Sequence, residues 1–169
     1  QHIDFNDHDF SQIDSIAINY KFDGNLDPIK IANDLTKGLE KDIDKYRVIF
    51  RWITENIDYD VELYLKKVDR DYKTRRFPAK QKRWNKKLNK LYTKHTIKKR
   101  MTICEGYSWL LETMCSAAGL SCVSIPGYTR HEGSKIGAKT KPDHVWNAVK
   151  INNKRYLSDP TWASGYVRL

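Results

Sequence analysis

The strongest hydrophobic pattern in the chain runs from Met101 to Gly119, where apolar side chains recur every three or four residues. The stripe consists of Cys104, Tyr107, Ser108, Leu111, Met114, Cys115 and Ala118. This spacing is typical of the buried face of an α-helix. We expect Thr102 to cap its N-terminus and Gly119 to end it, because glycine readily adopts the left-handed conformation found there.

Two further helices are predicted earlier in the chain. Asp27 and Pro28 form a typical helix start, with an N-cap side chain followed by proline at the first helical position. Residues 41–57 predict the next helix, because Tyr46, Ile49, Phe50, Ile53 and Ile57 fall on one face. Residues 1–27 show no clear period and are expected to be mostly irregular.

After Gly119 the pattern changes to that of β-strands. Strands are predicted at residues 121–129, 144–151 and 154–159. Asn152-Asn153 suits a two-residue hairpin turn, because asparagine tolerates positive φ angles. Residues 130–142 form a Gly/Lys-rich loop, and Gly133–Gly137 is a candidate substrate lid. From their matching apolar faces we expect the helices at 46–57 and 104–118 to pack together against a sheet that contains these strands.

The positive charge is concentrated in one segment. The chain has a formal net charge of +10, whereas residues 64–100 contain sixteen Lys or Arg and two Asp, a local net of +14. Within it, Trp84, Leu88, Leu91 and Tyr92 recur at helical spacing, so we expect an amphipathic basic helix inserted in the domain. The preferred interpretation is a solvated surface helix, and the alternative is a site for an acidic partner or polyanion.

Length and composition limit the class of protein. With 169 residues, 40% of them hydrophobic and 12% aromatic, the chain suits one folded domain. It lacks the run of about 18 apolar residues that a transmembrane segment needs. The chain begins at Gln1 rather than methionine. This fits a processed chain exported to the periplasm or the extracellular space, and the alternative is a cytoplasmic protein.

Cys104 is the candidate nucleophile. It falls in the first turn of the predicted helix, where unpaired N–H groups and the helix dipole favour a thiolate, so a lowered thiol pKa is expected. The alternative is a small core residue. Cys115 and Cys122 are expected to pack in the core, with a disulfide between them as the alternative. No histidine pair has zinc-ligand spacing and no CxxC is present, so neither a metal nor a cofactor is expected.

The predicted hairpin places a histidine, the candidate base, next to a carboxylate. With Asn152-Asn153 as the turn, Trp146 faces Asp159, and His144 projects from the same face. His144 and Asp159 then become diagonal neighbours, within side-chain reach of a hydrogen bond. A carboxylate there would orient the imidazole and stabilise its cation. A slip of one residue would separate the two side chains, so the prediction depends on the turn.

Several sequence blocks, taken in order, resemble the transglutaminase-like superfamily, and within it the kyphoscoliosis-peptidase-type branch. The blocks are Cys104-Glu105-Gly106-Tyr107, Gly127-Tyr128, His144-Val145-Trp146-Asn147-Ala148-Val149 and Asp159-Pro160-Thr161-Trp162. Residues 50–60, FRWITENIDYD, are similar to the helix that precedes the core in that family. The resemblance runs from about residue 28 to the end, which divides the chain into an N-terminal segment, 1–27, and a transglutaminase-like domain, 28–169.

The resemblance implies a papain-like α+β fold in which helices, including the nucleophile helix, pack on an antiparallel sheet. It implies a Cys–His–Asp triad of Cys104, His144 and Asp159 and acyl transfer through a thioester. Three residues of the same motifs are expected to bind substrate: Tyr107, Tyr128 and Trp146.

The chain departs from the family pattern in two places. Thr102-Ile103 stands where the family usually has Gly-Val, and only ten residues follow Asp159. Because the family's sheet usually continues beyond this aspartate, we expect a domain shortened at its C-terminus.

Three functions fit the resemblance. The preferred one is hydrolysis of amide bonds in a protein or peptide substrate. The second is a cross-linking transamidase, which differs only in whether an amine or water takes the acyl group. The third is a non-catalytic interaction module.

Overall fold

The computed structural model of the protein describes residues 8–129 and 142–165, except residues 22 and 25 and the side chains of residues 93 and 94. The helices are α1 (Ser11–Asn19), α2 (Pro28–Leu35), α3 (Asp42–Asn56), α4 (Val61–Thr74), α5 (Pro78–Lys99), α6 (Cys104–Ala117) and α7 (Pro160–Ala163). The strands are β1 (Asp58–Tyr59), β2 (Met101–Thr102), β3 (Cys122–Gly127), β4 (His144–Ile151) and β5 (Lys154–Ser158). The lid predicted at residues 133–137 lies outside the described residues.

The larger sheet is antiparallel and has β4 at its centre, in the order β3-β4-β5. Ile151 pairs with Lys154, and Asn152 and Asn153 adopt φ angles of 47° and 68°. These are the positive angles that a two-residue hairpin turn of matching twist requires, so the predicted turn is confirmed. The register therefore also matches the one on which the placement of His144 depends.

Helix α6 lies at the centre of the hydrophobic core. Its fully buried residues are Tyr107, Leu110, Leu111, Met114 and Cys115. They pack with buried side chains of α3 and β4, and Phe50 of α3 lies partly buried against the same cluster. The predicted α+β fold, with the nucleophile helix packed between another helix and an antiparallel sheet, is confirmed.

The basic segment forms a helical hairpin between two paired strands. Strand β1 pairs in parallel with β2, Asp58 opposite Met101, and α4 and α5 occupy the intervening residues. We call residues 61–99 the basic hairpin. Its own small core contains Leu88 and Tyr92, which pack on Ile103 just before α6. The hairpin is thereby held against the N-terminal end of α6.

Residues 11–19 are helical, so the expectation of an irregular N-terminal segment is wrong there. Helix α1 has no side-chain hydrogen bond at its N-cap, which removed the usual start signal. The helix is stabilised by tertiary contacts instead. Ala17 is buried, and the Arg47 guanidinium of α3 binds both carboxylate oxygens of Asp14 at 2.7 and 2.6 Å.

The predicted cap of α6 is also wrong. Thr102 belongs to β2, and the N-cap residue of α6 is Ile103, without a side-chain hydrogen bond. The pairing of β2 with β1 holds Thr102 extended, and its side chain lies against Gly106 instead. A Cβ at Gly106 would come within 1.8 Å of Thr102 Oγ1, so this position of the motif has room for glycine alone.

No helix in the described part of the chain combines the length and the apolar character needed to cross a membrane.

Candidate active site

Cys104 lies in the first turn of α6, as predicted, but its thiol is held in the protonated form. Burial raises the pKa of Cys104 to about 12, and the negative charge of Glu105 adds to the increase. The sulfur donates a hydrogen bond to Glu105 Oε2 at 3.2 Å. The expectation of a lowered pKa is therefore wrong for this structure, because burial and the adjacent carboxylate outweigh the helix dipole.

The backbone N–H of Val145 lies against the Cys104 sulfur. This contact favours the thiolate and partly offsets the effect of burial on the thiol pKa. Val145 follows His144 on β4. The central strand therefore brings the candidate base next to the start of α6.

His144 and Asp159 are in contact, as the hairpin register predicted. His144 Nε2 lies 2.7 Å from Asp159 Oδ2, and His144 is 7% exposed. The pairing of β4 with β5 ends at Asn147 and Ser158, so the expected Trp146–Asp159 pair is not formed. The chain turns instead into α7, and the Asp159 side chain still reaches the imidazole from that position.

Asp159 has a second structural task. Its Oδ1 accepts hydrogen bonds from the backbone N–H groups of Thr161 and Trp162, at 3.0 and 3.2 Å, and so caps α7. The two oxygens of one carboxylate thus bind the helix and the imidazole separately. The cap limits the rotation of the carboxylate, which orients Oδ2 toward His144.

Trp162 also belongs to the site, although hydrophobic period and hairpin register did not predict it. Its ring stacks on the His144 imidazole at 5.3 Å and 22°, although 65% of Trp162 is exposed. The signal was present in the Asp-Pro pair, which predicts a helix start at Asp159 and so places Trp162 in the first turn beside the carboxylate.

The residues expected to bind substrate occupy three different environments. Tyr107 is fully buried and donates a hydrogen bond to the Ile57 carbonyl at 2.6 Å, so it is a core residue and makes no surface for substrate. Tyr128 is 57% exposed and follows Gly127, which pairs with His144. Trp146 is half-buried. Of the three, Tyr128 and Trp146 keep exposed surface, and their role in substrate binding stays a prediction.

Trp146 packs on Gly127 next to His144. A Cβ at Gly127 would lie 2.1 Å from Trp146 Cη2, so the indole packs directly on the glycine backbone. The Trp146 ring is also 5.8 Å from the His144 ring. Glycine is needed at position 127 because any larger side chain would overlap the indole.

Cys104 makes its side-chain hydrogen bond with Glu105, and none with His144 among the described residues. The contact between the sulfur and the imidazole stays a prediction. Because Nε2 is engaged by Asp159, Nδ1 is the ring nitrogen available for it. The other two cysteines, Cys115 and Cys122, are buried and free.

A polar cleft lies between the basic hairpin and α6 and reaches Glu105, the neighbour of the candidate nucleophile. We call it the interhelical cleft; its volume is about 660 Å³, and its lining includes Lys67, Asp71, Gln81, Asn85, Tyr92 and Glu105. The Tyr92 hydroxyl is buried and has no hydrogen-bond partner among the described residues. Lys67 reaches Glu105 Oε1 at 3.4 Å and Asp71 Oδ2 at 3.0 Å. The basic hairpin therefore contacts Glu105, the residue that accepts the hydrogen bond from the Cys104 thiol.

Trp84 packs on the small core of the basic hairpin, and its buried indole N–H has no hydrogen-bond partner among the described residues. In the described part of the chain, His, Cys, Asp and Glu side chains do not gather in any group of three or more able to hold a metal ion.

The arrangement of α6 and the central strand β4 is typical of one class of protein. A cysteine begins a helix that packs on an antiparallel sheet, and the central strand carries a histidine bound to an aspartate, as in papain-like α+β domains. The profile of the transglutaminase-like superfamily matches residues 29–160. The chain therefore belongs to the transglutaminase-like superfamily.

Curated relatives agree with this assignment. The chain is 31% identical to the kyphoscoliosis peptidase of Mus musculus over 160 residues, which is 94% of this chain and 21% of that protein. It is 30% identical to Hillarin of Drosophila melanogaster over 171 residues, 94% of this chain and 17% of that protein. The chain thus spans about a fifth of the length of these relatives.

A solved structure described as a TGase shares the fold. It aligns with 99% of this chain and 35% of its own length, with a TM-score of 0.51 and 16% identity. The likeness at this identity extends to the fold alone.

Proposed function

We propose that this domain is a cysteine-dependent acyl-transfer enzyme that hydrolyses amide bonds of proteins or peptides through Cys104, His144 and Asp159. The observation that carries the proposal is the 2.7 Å contact between His144 and Asp159. The N–H of Val145, next to His144, lies against the Cys104 sulfur, which supports the same grouping. Membership of the transglutaminase-like superfamily supports the choice of chemistry.

In the first half of the proposed reaction, the Cys104 thiol transfers its proton from the neighbourhood of Glu105 to His144 Nδ1. The sulfur attacks the amide carbon and forms a C–S bond. The Cys104 backbone N–H, at the start of α6, donates to the developing oxyanion. The leaving nitrogen takes the proton from the imidazole as the C–N bond breaks, and a thioester remains.

In the second half, His144 accepts a proton from water, and the oxygen attacks the thioester carbon. The C–S bond breaks, the carboxylic acid leaves, and the sulfur recovers the proton from the imidazole. Asp159 orients the ring and stabilises its cation in both halves. No redox partner is needed.

The interhelical cleft is the proposed binding place for the substrate chain. It reaches Glu105, the neighbour of Cys104, and its amide side chains at Gln81 and Asn85 suit hydrogen bonds to peptide groups. The buried Tyr92 hydroxyl would gain a partner there. These features favour a polar peptide segment as substrate.

A non-catalytic interaction module is the second candidate, and one observation favours it. The Cys104 thiol has a raised pKa of about 12 and binds Glu105. A module that never releases this contact would keep an inert thiol. The two candidates differ in whether an acyl group is ever found on the sulfur.

The test is acylation by p-nitrophenyl acetate, followed by mass spectrometry of the intact protein and its peptides, with and without methylamine. The enzyme is expected to carry acetyl on Cys104, to lose it to water and to release p-nitrophenolate repeatedly. Cys104→Ala should carry none, whereas Cys122→Ala, the control, should react like the unmodified protein.

Other outcomes decide between the alternatives. Transfer to methylamine in place of water would indicate a transamidase. A folded protein whose Cys104 stays unlabelled would overturn the enzymatic proposal in favour of the interaction module.

A further inference from the structure

The basic hairpin has a second cleft, on which cations from both of its helices converge. We call it the cationic cleft; its volume is about 660 Å³, and it is lined by Arg70 and Lys73 of α4, by Lys80, Arg83 and Lys87 of α5, and by Trp84. The three α5 cations follow one another at spacings of three and four residues, so they share one helical face. The cleft therefore presents a cationic surface to which both packed helices contribute.

Elsewhere on α4 the cations are paired with carboxylates of their own helix. Lys66 binds Glu62, and Lys67 binds Asp71, each four residues away. In the cationic cleft only Lys73 makes an ion pair with a described residue, Asp69 at 2.8 Å. Two helices thus bring like charges together without the counter-charges that the rest of α4 has.

Helix α5 cannot supply those counter-charges. Residues 78–99 contain nine Lys or Arg and no Asp or Glu. Like charges gathered at one place repel each other, and an external anion relieves the repulsion. The unbalanced charge of the cationic cleft therefore points to an acidic ligand.

The aromatic residues of the hairpin favour an acidic peptide over a nucleic acid. Arg70 and Lys87 lie 5.9 and 6.0 Å from the Trp84 ring centre, and Lys80 lies 4.6 Å from the Phe77 ring centre. Stacked bases need open aromatic faces, and these rings already carry cations. Arginine side chains, by contrast, bind carboxylates through two parallel hydrogen bonds.

We propose that the cationic cleft is the docking site for an Asp/Glu-rich segment of a partner protein. Arg70 lies one helical turn from Lys67, which contacts Glu105 beside the nucleophile. A bound segment would thus run next to the interhelical cleft. The proposal stands independently of the catalytic one, because none of its residues belongs to the Cys104–His144–Asp159 group.

The test is fluorescence anisotropy with a labelled Glu-rich peptide, at low and moderate salt. The cleft variant is Arg70→Gln, Arg83→Gln and Lys87→Gln in one protein. The matched control is Arg76→Gln, Lys82→Gln and Lys86→Gln, which removes the same charge from exposed positions of the hairpin outside the cleft. All six side chains are exposed, so both variants are expected to fold.

The cleft variant is expected to bind the peptide at least about tenfold more weakly, and the control no more than about threefold. Lys80→Glu alone should weaken binding as well, since it places a carboxylate in the cleft. Equal loss in the two triple variants would overturn the proposal, because net charge alone would then explain the affinity.

The nature of the ligand is tested in parallel. Single-stranded DNA of equal charge or a phosphorylated peptide that binds more tightly than the Glu-rich peptide would overturn the assignment to an acidic protein segment. Alkylation of Cys104 by iodoacetamide should proceed at the same rate in all variants. A cleft variant that loses both peptide binding and the unmodified alkylation rate would overturn the proposal, because a change of fold would then account for the lost binding.

Discussion

Cys104 and its neighbour Glu105 are joined by a hydrogen bond from the sulfur to Oε2, 3.2 Å long, at the first turn of α6. The carboxylate thereby stabilises the protonated thiol at the position where the helix dipole would favour the thiolate. Lys67 of the basic hairpin shares the Glu105 carboxylate at 3.4 Å. Burial and the Glu105 carboxylate together keep the candidate nucleophile protonated, and the basic hairpin contacts that carboxylate.

The first prediction concerns this contact. Glu105→Gln should lower the pKa of the Cys104 thiol, because it removes a negative charge next to the sulfur while keeping the side chain's size. Alkylation by iodoacetamide at neutral pH should become roughly three to ten times faster. Glu112→Gln, on the same helix but bound to Ser124, is the control and should leave the rate unchanged. An unaltered rate in Glu105→Gln would contradict the electrostatic role.

The second prediction is a loss of stability at alkaline pH. The folded-state pKa of Cys104, about 12, lies above its ordinary value of 9.0, so the folded protein favours the protonated thiol. This stabilisation is fully present below about pH 9 and is lost as the pH rises through about 12. It amounts to at most about 4 kcal/mol, at about 1.4 kcal/mol per pKa unit.

Urea unfolding of the unmodified protein and of Cys104→Ala, across that pH range, measures the effect. The free energy of unfolding of the unmodified protein should fall faster with pH than that of the variant. Burial also raises the pKa of Tyr107 to about 12, but this tyrosine is common to both proteins and cancels in the comparison. Parallel pH profiles would mean that the thiol has no raised pKa.

The third prediction separates the two tasks of Asp159. Asp159→Asn keeps an N-cap side chain for α7 but loses the anion beside His144, so the fold should persist while acylation of Cys104 slows sharply. Asp159→Ala should slow acylation equally and, in addition, cost about 1 kcal/mol of stability through the lost cap. Acylation by p-nitrophenyl acetate and thermal unfolding measure the two effects. Normal acylation in Asp159→Asn would exclude the orienting role.

The fourth prediction concerns the packing of the Trp146 indole on Gly127. Gly127→Ala should destabilise the protein by about 1–3 kcal/mol, because the new methyl group would overlap the Trp146 indole. Adding Trp146→Ala should relieve the overlap, so the double variant should cost less than the sum of the two single changes. Denaturant unfolding of all four proteins checks this. Additive costs would show that the indole does not rest on Gly127.

Much of the site follows from local sequence rules. The Asn152-Asn153 turn sets the hairpin register, and the register places His144 and Asp159 on one side of the sheet. Periodicity alone also predicts α3 and α6 and their packing. These predictions hold because turn residues and hydrophobic spacing constrain the backbone within a few residues of themselves.

Other features needed the tertiary structure. The pKa of Cys104 depends on how deeply α6 is buried and on where the Glu105 side chain points, and neither is a property of the helix start. Helix α1 has no cap signal and is stabilised by Arg47 of α3. Tyr107 shares a motif with Cys104, yet its side chain enters the core.

Sequence patterns alone predict helices α2, α3, α5 and α6, the three strands of the larger sheet, the hairpin register, the candidate triad residues and the concentration of charge in residues 64–100. The protonation of the thiol, the stacking of Trp162 on His144 and the convergence of cations from α4 and α5 on one cleft follow from packing between distant segments. The physical reason is the separation along the chain over which each effect acts. Hydrophobic period and turn geometry act between neighbours in the chain, whereas desolvation and electrostatic interactions depend on which distant segments pack around a group.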